Sequence, residues 1–441
     1  MKRIMLFLAG IIAVAAFAPQ ASALPVFARQ TGMACSACHF QHFPMLNGFG
    51  RAFKSSAFTM IGAQGKVDGE GLSIPNTLNM AALITAGYEK SNMQAEATPK
   101  TALNTGNGQF YVPGNGGELS LFVGGRVTDN AGFLTEIGTT SPAGMSAAKL
   151  PILFEVTEGT RAGLVLFTTG LGVSYGFETL NTGANSVHLM SGVGGMADSH
   201  STTLSAQQYI GTGTGATGLA FVLNNANGFI NLTKFNQIAP DSGVGVAAEL
   251  GSTYVRLVGN FDVADWDTGV GVQSWSGDST DGIALSTTKA TAIDGQMQGE
   301  LGGMPVGFYF SYAKAPVVAD ASPGGGTSGN AYNMGGAFER NSFSISGEVG
   351  VIPAKATLGA AIRRGKSGVD DGDGANATDN AVMLTATYKL AQNMMLSLSY
   401  TSASGSYWDQ INLDPAVNPN SYTYRQIIGS KTTTLSLFTL F

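Results

Sequence analysis

Charged residues are scarce in this sequence, and long apolar runs are absent beyond its first segment. Only 12% of the residues are Asp, Glu, Lys or Arg, whereas soluble domains contain about 25%. Lys and Arg number 23 against 29 Asp and Glu, so no basic surface stands out and a nucleic-acid partner is not expected. After residue 23 no stretch supplies the roughly 18 apolar residues of a membrane helix.

A secretory signal peptide is predicted at the N-terminus. The basic pair Lys2-Arg3 precedes an apolar stretch over residues 4–17, and Ala21-Ser22-Ala23 follows. This order is typical of a signal cleaved after a small-x-small site, here after Ala23. Removing residues 1–23 leaves 21 Lys and Arg against 29 Asp and Glu, so the formal net charge changes from −6 to −8. An uncleaved anchor is the alternative, but the apolar run is too short to span comfortably.

The remaining composition favours a membrane β-barrel. Glycine accounts for 61 of 441 residues and mean hydropathy is +0.13. A chain this apolar without membrane helices can satisfy its backbone in hydrocarbon only as a closed barrel. A secreted soluble β-sandwich or β-helix is the competing interpretation.

Alternating residue patterns support the barrel. In 382–390, Val382, Leu384 and Tyr388 fall on one face of a strand, and Met383 and Lys389 fall on the other. The same alternation is clear in 306–312, 343–351 and 394–400. Repeated strands with one apolar and one small or polar face are typical of lipid-out, lumen-in membrane barrels.

Turns and loops of two lengths separate these strands. Short connections are predicted at 129–132, 353–355 and 391–393, and long polar ones around 196–218, 266–292 and 366–380. A barrel over residues 65–441 at roughly 10 residues per strand plus loops fits about 16 antiparallel strands, with 14 to 18 acceptable. The final strand ends at Phe441, which resembles the C-terminal signal of bacterial outer-membrane proteins, although Thr439 departs from the usual bulky residue. We therefore expect the outer membrane of a Gram-negative bacterium.

The only two cysteines form the motif Cys35-Ser36-Ala37-Cys38-His39. The pattern C-x-x-C-H predicts covalent attachment of one c-type haem, with Cys35 and Cys38 bonded to its vinyl groups and His39 as proximal iron ligand. A thiol redox pair or half of a zinc site are the alternatives.

The surroundings predict a small helical haem plug over residues 24–64. Thr31 is expected to cap a helix carrying the motif, and Pro44 to end it. Leu46, Phe49 and Phe53 recur at the spacing of a second helix. A segment this short cannot bury a large core alone, so we expect the barrel lumen to enclose it.

The sixth iron ligand stays open at this point. Met60 and His42 are the leading candidates, and Met33 and Met45 are further alternatives, although plain packing explains each methionine equally well. His42 lies three residues after His39, on the same face of the expected helix.

Several other polar side chains have expected positions. Arg51 and Lys54 could meet the haem propionates, and Glu348, Arg363 and Lys389 are predicted to face a wet lumen. Two histidines (His188, His200) and four aspartates (Asp370, Asp371, Asp373, Asp379) are assigned to loops or their neighbourhood, the aspartates to one external loop.

Three segments together resemble the N-terminus of fused cytochrome–porin proteins. They are residues 25–33, the motif at Cys35, and residues 49–54. In that family one c-type haem domain precedes an outer-membrane barrel of about 16 strands, and its best-known members are outer-membrane iron oxidases. The resemblance implies Fe(II) oxidation outside the cell, with electrons passed to a periplasmic c-type cytochrome or another soluble carrier.

Three functions follow from these observations. The first is an electron conduit that oxidises extracellular Fe(II) or a similar donor. The second is the same conduit run outward, towards an extracellular metal ion or mineral. The third is a transport porin whose haem-bearing plug acts as a gate or sensor.

Covalent haem is the first testable prediction. A denaturing gel of protein matured in a competent host should stain for haem. His39→Ala should weaken the band because the iron loses its proximal ligand, and Cys38→Ala should remove or greatly weaken it because one thioether is lost. An unstained wild-type band would contradict the haem prediction.

Overall fold

The computed structural model describes residues 25–91, 108–138, 144–170, 175–183, 204–213, 215–240, 245–246, 249–280, 285–319, 329–334, 336–409 and 430–441. The predicted signal peptide, His188 and His200 lie outside these residues. Within them, no helix is long and apolar enough to cross a membrane.

Three short helices and a hairpin precede the barrel. The helices are α1 (Pro25–Thr31), α2 (Cys35–Cys38) and α3 (Gly48–Ser55), and the hairpin joins β1 (Lys66–Gly69) to β2 (Leu72–Pro75). The hairpin forms its own two-stranded sheet, so the first barrel strand begins at Met80 and not at residue 65. Two further helices, α4 (Ala206–Tyr209) and α5 (Ser406–Asp409), lie between barrel strands.

The barrel is built from strands β3 to β21. Its first half contains β3 (Met80–Ser91), β4 (Gly108–Pro113), β5 (Gly116–Gly117), β6 (Leu119–Arg126), β7 (Gly132–Gly138), β8 (Gly144–Thr157), β9 (Thr160–Thr169), β10 (Ala216–Asn225), β11 (Gly228–Asn236) and β12 (Ser252–Val263). The second half contains β13 (Trp266–Thr280), β14 (Leu285–Thr287), β15 (Ala290–Leu301), β16 (Met304–Ala315), β17 (Arg340–Ile352), β18 (Ala356–Asp370), β19 (Asn376–Ala391), β20 (Met394–Ser404) and β21 (Lys431–Leu440).

These strands close into one ring. β21 pairs antiparallel with β3, and the backbone of Phe441 exchanges hydrogen bonds of 2.7 and 3.0 Å with Ala82 at the seam. β3 also pairs directly with β6, and β13 with β15, so the short strands β4, β5 and β14 are additions to the ring. Sixteen antiparallel strands remain of the nineteen, which confirms the predicted architecture.

The two faces of each strand differ as predicted. On β19, Val382 and Leu384 point outward and are 46% and 53% exposed, whereas Met383 between them is buried. On β16, Phe308 is 49% exposed and its neighbour Tyr309 is buried. An outward apolar surface on a closed barrel matches hydrocarbon, because each strand is hydrogen-bonded to a neighbour on both sides.

The connections identify the two ends of the barrel. Short turns join β6 to β7, β8 to β9, β10 to β11, β12 to β13, β15 to β16, β17 to β18 and β19 to β20, all at one end. The longer connections leave the other end. Short turns mark the periplasmic end in outer-membrane barrels, and this is also where the N-terminal helices and Phe441 lie.

Two of the three predictions of long loops were wrong. The segment around 266–292 is mostly strand, since β13 begins at Trp266 and runs to Thr280. The connection around 366–380 shrinks to residues 371–375, because β18 extends to Asp370 and β19 begins at Asn376. Ladder hydrogen bonds outweigh the low strand propensity of these Gly-, Ser- and Asp-rich sequences. The third, around 196–218, lies partly outside the described residues.

The lumen is packed at its middle level. Residues 175–183 fold inward from the connection between β9 and β10, and Glu178 lies 2.9 Å from Arg256 on β12. Arg256 also pairs with Asp294 on β15, and all three side chains are buried. Towards the external end, the buried rings of Tyr175, Tyr254, Trp275 and Tyr332 contact one another. Side chains therefore fill the centre of the lumen here.

Leu398, near the middle of β20 and 46% exposed, tests the lipid-facing surface. Leu398→Arg should lower the free energy of unfolding by about 2–4 kcal/mol, because a charge would enter the hydrocarbon. Heat-modifiable gel mobility across a urea series measures the folded fraction, with Leu398→Val as the matched control. Equal midpoints for both variants would contradict the lipid-facing assignment.

Candidate functional site

The cysteines lie on a helix that is shorter than expected. α2 spans Cys35–Cys38 only, and His39 follows it in extended conformation, with φ −110° and ψ 135°. The predicted cap was wrong: Thr31 ends α1, and its hydroxyl donates to the Phe27 carbonyl at 2.8 Å. The predicted end at Pro44 was also wrong, because the chain leaves the helix at His39 and pairs there with Leu46 in an isolated bridge.

His39 is buried, and its ring lies beside the backbone carbonyl groups of Met45 and Pro44. Its Nδ1 lies 3.1 Å from the Met45 carbonyl oxygen, so Nδ1–H donates and Nε2 keeps its lone pair. Burial lowers the pKa of His39 to about 4, and the imidazole is therefore neutral at pH 7. A neutral imidazole oriented by a backbone carbonyl is the state in which histidine binds a metal.

The two thiols are unbonded and partly buried. Burial raises the pKa of both Cys35 and Cys38, although the nearby charge of Lys389 opposes the shift at Cys35. Both are thus protonated at neutral pH, unlike the thiolates of reactive redox pairs. Among the described residues, no group of three or more His, Cys, Asp or Glu side chains is placed to hold a metal ion.

Helix α3 packs directly against the motif. Asn47 caps it by accepting a hydrogen bond from the Gly50 amide at 2.9 Å. A Cβ at Gly50 would lie 2.1 Å from the Cys38 carbonyl oxygen, so only glycine fits where the two helices meet. Phe53 is buried as expected, but Phe49 is 39% exposed, so the inward face consists of Gly50, Arg51 and Phe53.

An apolar cavity of about 260 Å³ lies beside Cys38 and His39. Phe27, Phe53 and Phe58 form one wall, with the Phe27 ring 4.9 Å from both others. The barrel contributes Phe122 and Leu134 to the opposite wall. A smaller cavity of about 80 Å³ adjoins Cys35, His39 and Phe43 and is bordered by the periplasmic ends of β19, β20 and β21 and by the turn before β18.

The lumen wall changes character beside this site. Along the inward face of β21, the buried residues are first Thr432, Thr434 and Ser436, and then Phe438 and Leu440 at the periplasmic end. β20 changes in the same way, from Ser397 to Met395, and Leu83 of β3 completes the apolar patch. Phe43 stacks on Phe438 with ring centroids 5.3 Å apart. A water-filled lumen gives no reason for this patch, whereas an apolar partner does.

Several polar contacts join the N-terminal segment to the barrel end, and three of them lie near the site. Arg51 pairs with Asp267 at the start of β13 and donates to Gln298 at 3.2 Å. His42 lies 2.7 Å from Glu348 of β17.

The third contact joins the segment to the inward-folded chain. The Leu46 amide donates to Asn181 at 2.8 Å, and the Asn181 side chain donates back to the Leu46 carbonyl at 2.9 Å. The Asn181 amide also donates to Gln296 on the barrel wall at 2.7 Å. Residues 175–183 thus link the site to the packed centre of the lumen.

The candidates for a sixth ligand lie in different places: His42 lines the smaller cavity with Cys35 and His39, and Met45 lies against His39. Met60 lines a different cavity, with Arg51 and Asp267, and Met33 lines neither cavity beside His39. Met45 is buried and touches His39 through its carbonyl group. Both ring nitrogens of His42 are engaged, by the Phe43 carbonyl and by Glu348. Burial alone would lower the pKa of His42, but Glu348 outweighs it and raises the pKa.

The two basic side chains of α3 have different surroundings. Arg51 is held by barrel residues and is not directed at the cavity beside Cys38. Lys54 lines that cavity, and burial lowers its pKa. Of the two, Lys54 is the one placed to meet an anionic group there.

The prediction that Glu348, Arg363 and Lys389 point into the lumen is confirmed. The prediction that water surrounds them there is not confirmed. Glu348 and Arg363 are buried in ion pairs with His42 and Asp379, and Lys389 lines the cavity beside Cys35. Asp379 was wrongly assigned to an external loop: it is a buried residue of β19, 2.6 Å from Arg363. Asp371 and Asp373 do lie in the turn, where they accept or donate local backbone hydrogen bonds.

Sequence analysis missed the barrel residues of the site, among them Met395, Phe438, Phe122 and Asn181. One signal was available in the sequence. The face of the last strand that carries Thr432, Thr434 and Ser436 becomes apolar at Phe438 and Leu440. The contacts of Phe122 and Asn181 with the N-terminal segment leave no pattern in the sequence.

No protein-family model and no curated protein matches this sequence. Solved structures of outer-membrane proteins do match. OmpT of Vibrio cholerae is 9% identical, with TM-score 0.44, over 86% of this chain and 100% of that chain. OmpF of Salmonella typhi in complex with daunomycin is 9% identical, with TM-score 0.45, over 86% and 100%. Likenesses this distant carry no argument about function.

The strand pairing and the outward apolar surface decide the class of protein. The chain is a closed antiparallel barrel of the type found in the outer membrane of Gram-negative bacteria.

Arg51 tests how the N-terminal segment is held. Arg51→Met removes the pair with Asp267 and the bond to Gln298, a loss of about 1.5–3 kcal/mol. Limited proteolysis in detergent should then cut residues 24–64 roughly tenfold faster or more. Lys66→Met is the control, because its pair with Asp68 is exposed, at 3.6 Å, and contributes about 0–1 kcal/mol. Equal cleavage of both variants would show that Arg51 does not anchor the segment.

Proposed function

We propose that this protein is a single-haem electron conduit of the outer membrane, with haem c bonded to Cys35 and Cys38 and iron bound by His39. The observation that carries the proposal is the apolar enclosure around His39, built jointly by the N-terminal segment and the lumen wall. A bound haem would supply a single iron that alternates between Fe(II) and Fe(III).

The residues present fit this group. His39 offers a neutral Nε2, and the two thiols lie on one short helix beside apolar cavities. Lys54 would stand near an anionic edge of the ring. Phe27, Phe53 and Phe58 would exclude water from the macrocycle. Excluding water would lower the dielectric constant around the iron and help to keep its ligands bound.

The location favours electron exchange with a periplasmic carrier. Lys355, Gln392 and Asn393, from the periplasmic turns of the barrel, border the smaller cavity. A soluble c-type cytochrome could therefore approach from this end. On the other side, the buried rings of Tyr175, Tyr254 and Trp275 fill the middle of the lumen.

The resemblance to fused cytochrome–porin proteins supports the direction of transfer. By that resemblance, extracellular Fe(II) or a similar donor is oxidised outside, and the electron leaves through the periplasmic carrier. The same path run outward, to an extracellular metal ion or mineral, uses the same residues.

A transport porin is the second candidate function, because the barrel itself is porin-like. In that case the N-terminal segment would act as a gate or sensor, and solute would cross when it moves. The buried rings of Tyr175, Tyr254 and Trp275 in the middle of the lumen would also have to move.

Mixing with Fe(II) in a stopped-flow instrument tests the proposal. Oxidised full-length holoprotein should show reduction of the haem, because the donor's electron reaches the iron. Reduction should be followed by reoxidation when an oxidised soluble cytochrome c is added. Cys35→Ser/Cys38→Ser protein is the control and should show no such signal.

Solute flux separates the two functions. Liposomes containing the holoprotein should not swell in small sugars more than liposomes containing the double cysteine variant. Rapid swelling with no reduction of the haem would favour the transport porin and contradict the conduit.

A further inference from the structure

We propose that Met395, on the lumen wall of β20, supplies the sixth iron ligand to a haem held by Cys35, Cys38 and His39. The inference rests on the function proposed above. It places one axial ligand on the N-terminal segment and the other on the barrel.

Met395 borders the site from the barrel side. It lines the cavity that also contains Cys35 and His39, and it packs against the patch of Leu83, Phe438 and Leu440. Phe43, whose ring centroid lies 5.2 Å from that of His39, packs against the same patch. The thioether and the imidazole thus belong to one enclosure.

The strand register separates Met395 from its neighbour Met394. Met395 lies on the lumen face of β20, because it shares that face with Ser397 and Ser399, which are buried. Met394 falls on the face of Leu398 and Tyr400, which are 46% and 40% exposed to the lipid side. Both methionines border the cavity, but only Met395 lies on the inward face of strand β20.

The other donors around this cavity are less suited. His42 has both ring nitrogens engaged. Lys355 is directed at the Tyr388 ring, 5.6 Å from its centroid, and a lysine ammonium group has no lone pair to offer iron. A thioether needs no deprotonation and is an established partner of histidine in c-type haem, where it raises the reduction potential.

Ligation by Met395 also explains the change in the lumen wall. Ser397 and Ser399 are the polar residues on the inner face of β20. The methionine on this face, Met395, is at the position next to the site. A thioether ligand requires dry surroundings, which Phe438 and Leu440 on the adjacent strand provide.

Met395→Leu in the full-length holoprotein tests the inference, because leucine keeps the apolar volume and cannot bind iron. The oxidised protein should lose the long-wavelength charge-transfer band of thioether-bound iron. The reduction potential should fall, and the reduced protein should bind carbon monoxide at least tenfold faster. Met394→Leu is the matched control and should keep the wild-type spectrum and potential.

Met395→His distinguishes a ligand from a packing residue. If position 395 faces the iron, histidine should restore a six-coordinate low-spin spectrum, now of the bis-histidine type. A wild-type band that survives in Met395→Leu, or a Met395→His protein without the bis-histidine spectrum, would overturn the inference and leave the conduit standing. Wild-type protein without covalent haem would instead overturn the proposed function itself.

Discussion

Inside hydrocarbon every backbone N–H and C=O group needs a partner from the chain itself, and the pairing of β21 with β3 meets this need for two strands that would otherwise be edges. The alternation of faces follows from the same constraint. A strand paired on both sides presents one row of side chains to lipid and the other to the lumen, so Leu384 and Met383 are neighbours in opposite surroundings. The position of the candidate site depends on this geometry, because the lumen is where polar side chains and the N-terminal segment can be placed.

The interior behaves as a protein core more than as a channel. Arg256 is fully buried, yet Glu178 and Asp294 satisfy its charge, as Asp379 satisfies that of Arg363. Removing one member of such a pair leaves an uncompensated buried charge, which typically costs about 3–5 kcal/mol. The inward-folded residues 175–183 connect these pairs to Leu46 of the N-terminal segment. The segment, the inward chain and the barrel therefore stabilise one another.

Local periodicity predicted the barrel well, but it could not predict contacts between residues that are distant in the sequence. Val382 and Leu384 could be assigned to one face because a strand repeats every two residues. β13 was missed because Gly271, Ser274 and Gly277 hide its pattern, and its stability comes from the pairing with β12 and β15. The motif identified Cys35 and His39 from spacing alone. The proximity of Met395 and Phe438 to His39 arises only when the ring closes around the segment.

The seam at Phe441 and Ala82 has a consequence for biogenesis. β21 follows the other barrel strands in the sequence and shuts the ring by pairing with β3, whereas the cysteines precede the barrel strands. With β20 and β21 against Phe43, Cys35 lies in a cavity bordered by residues of the barrel. Attachment of the haem proposed above is therefore expected before barrel closure.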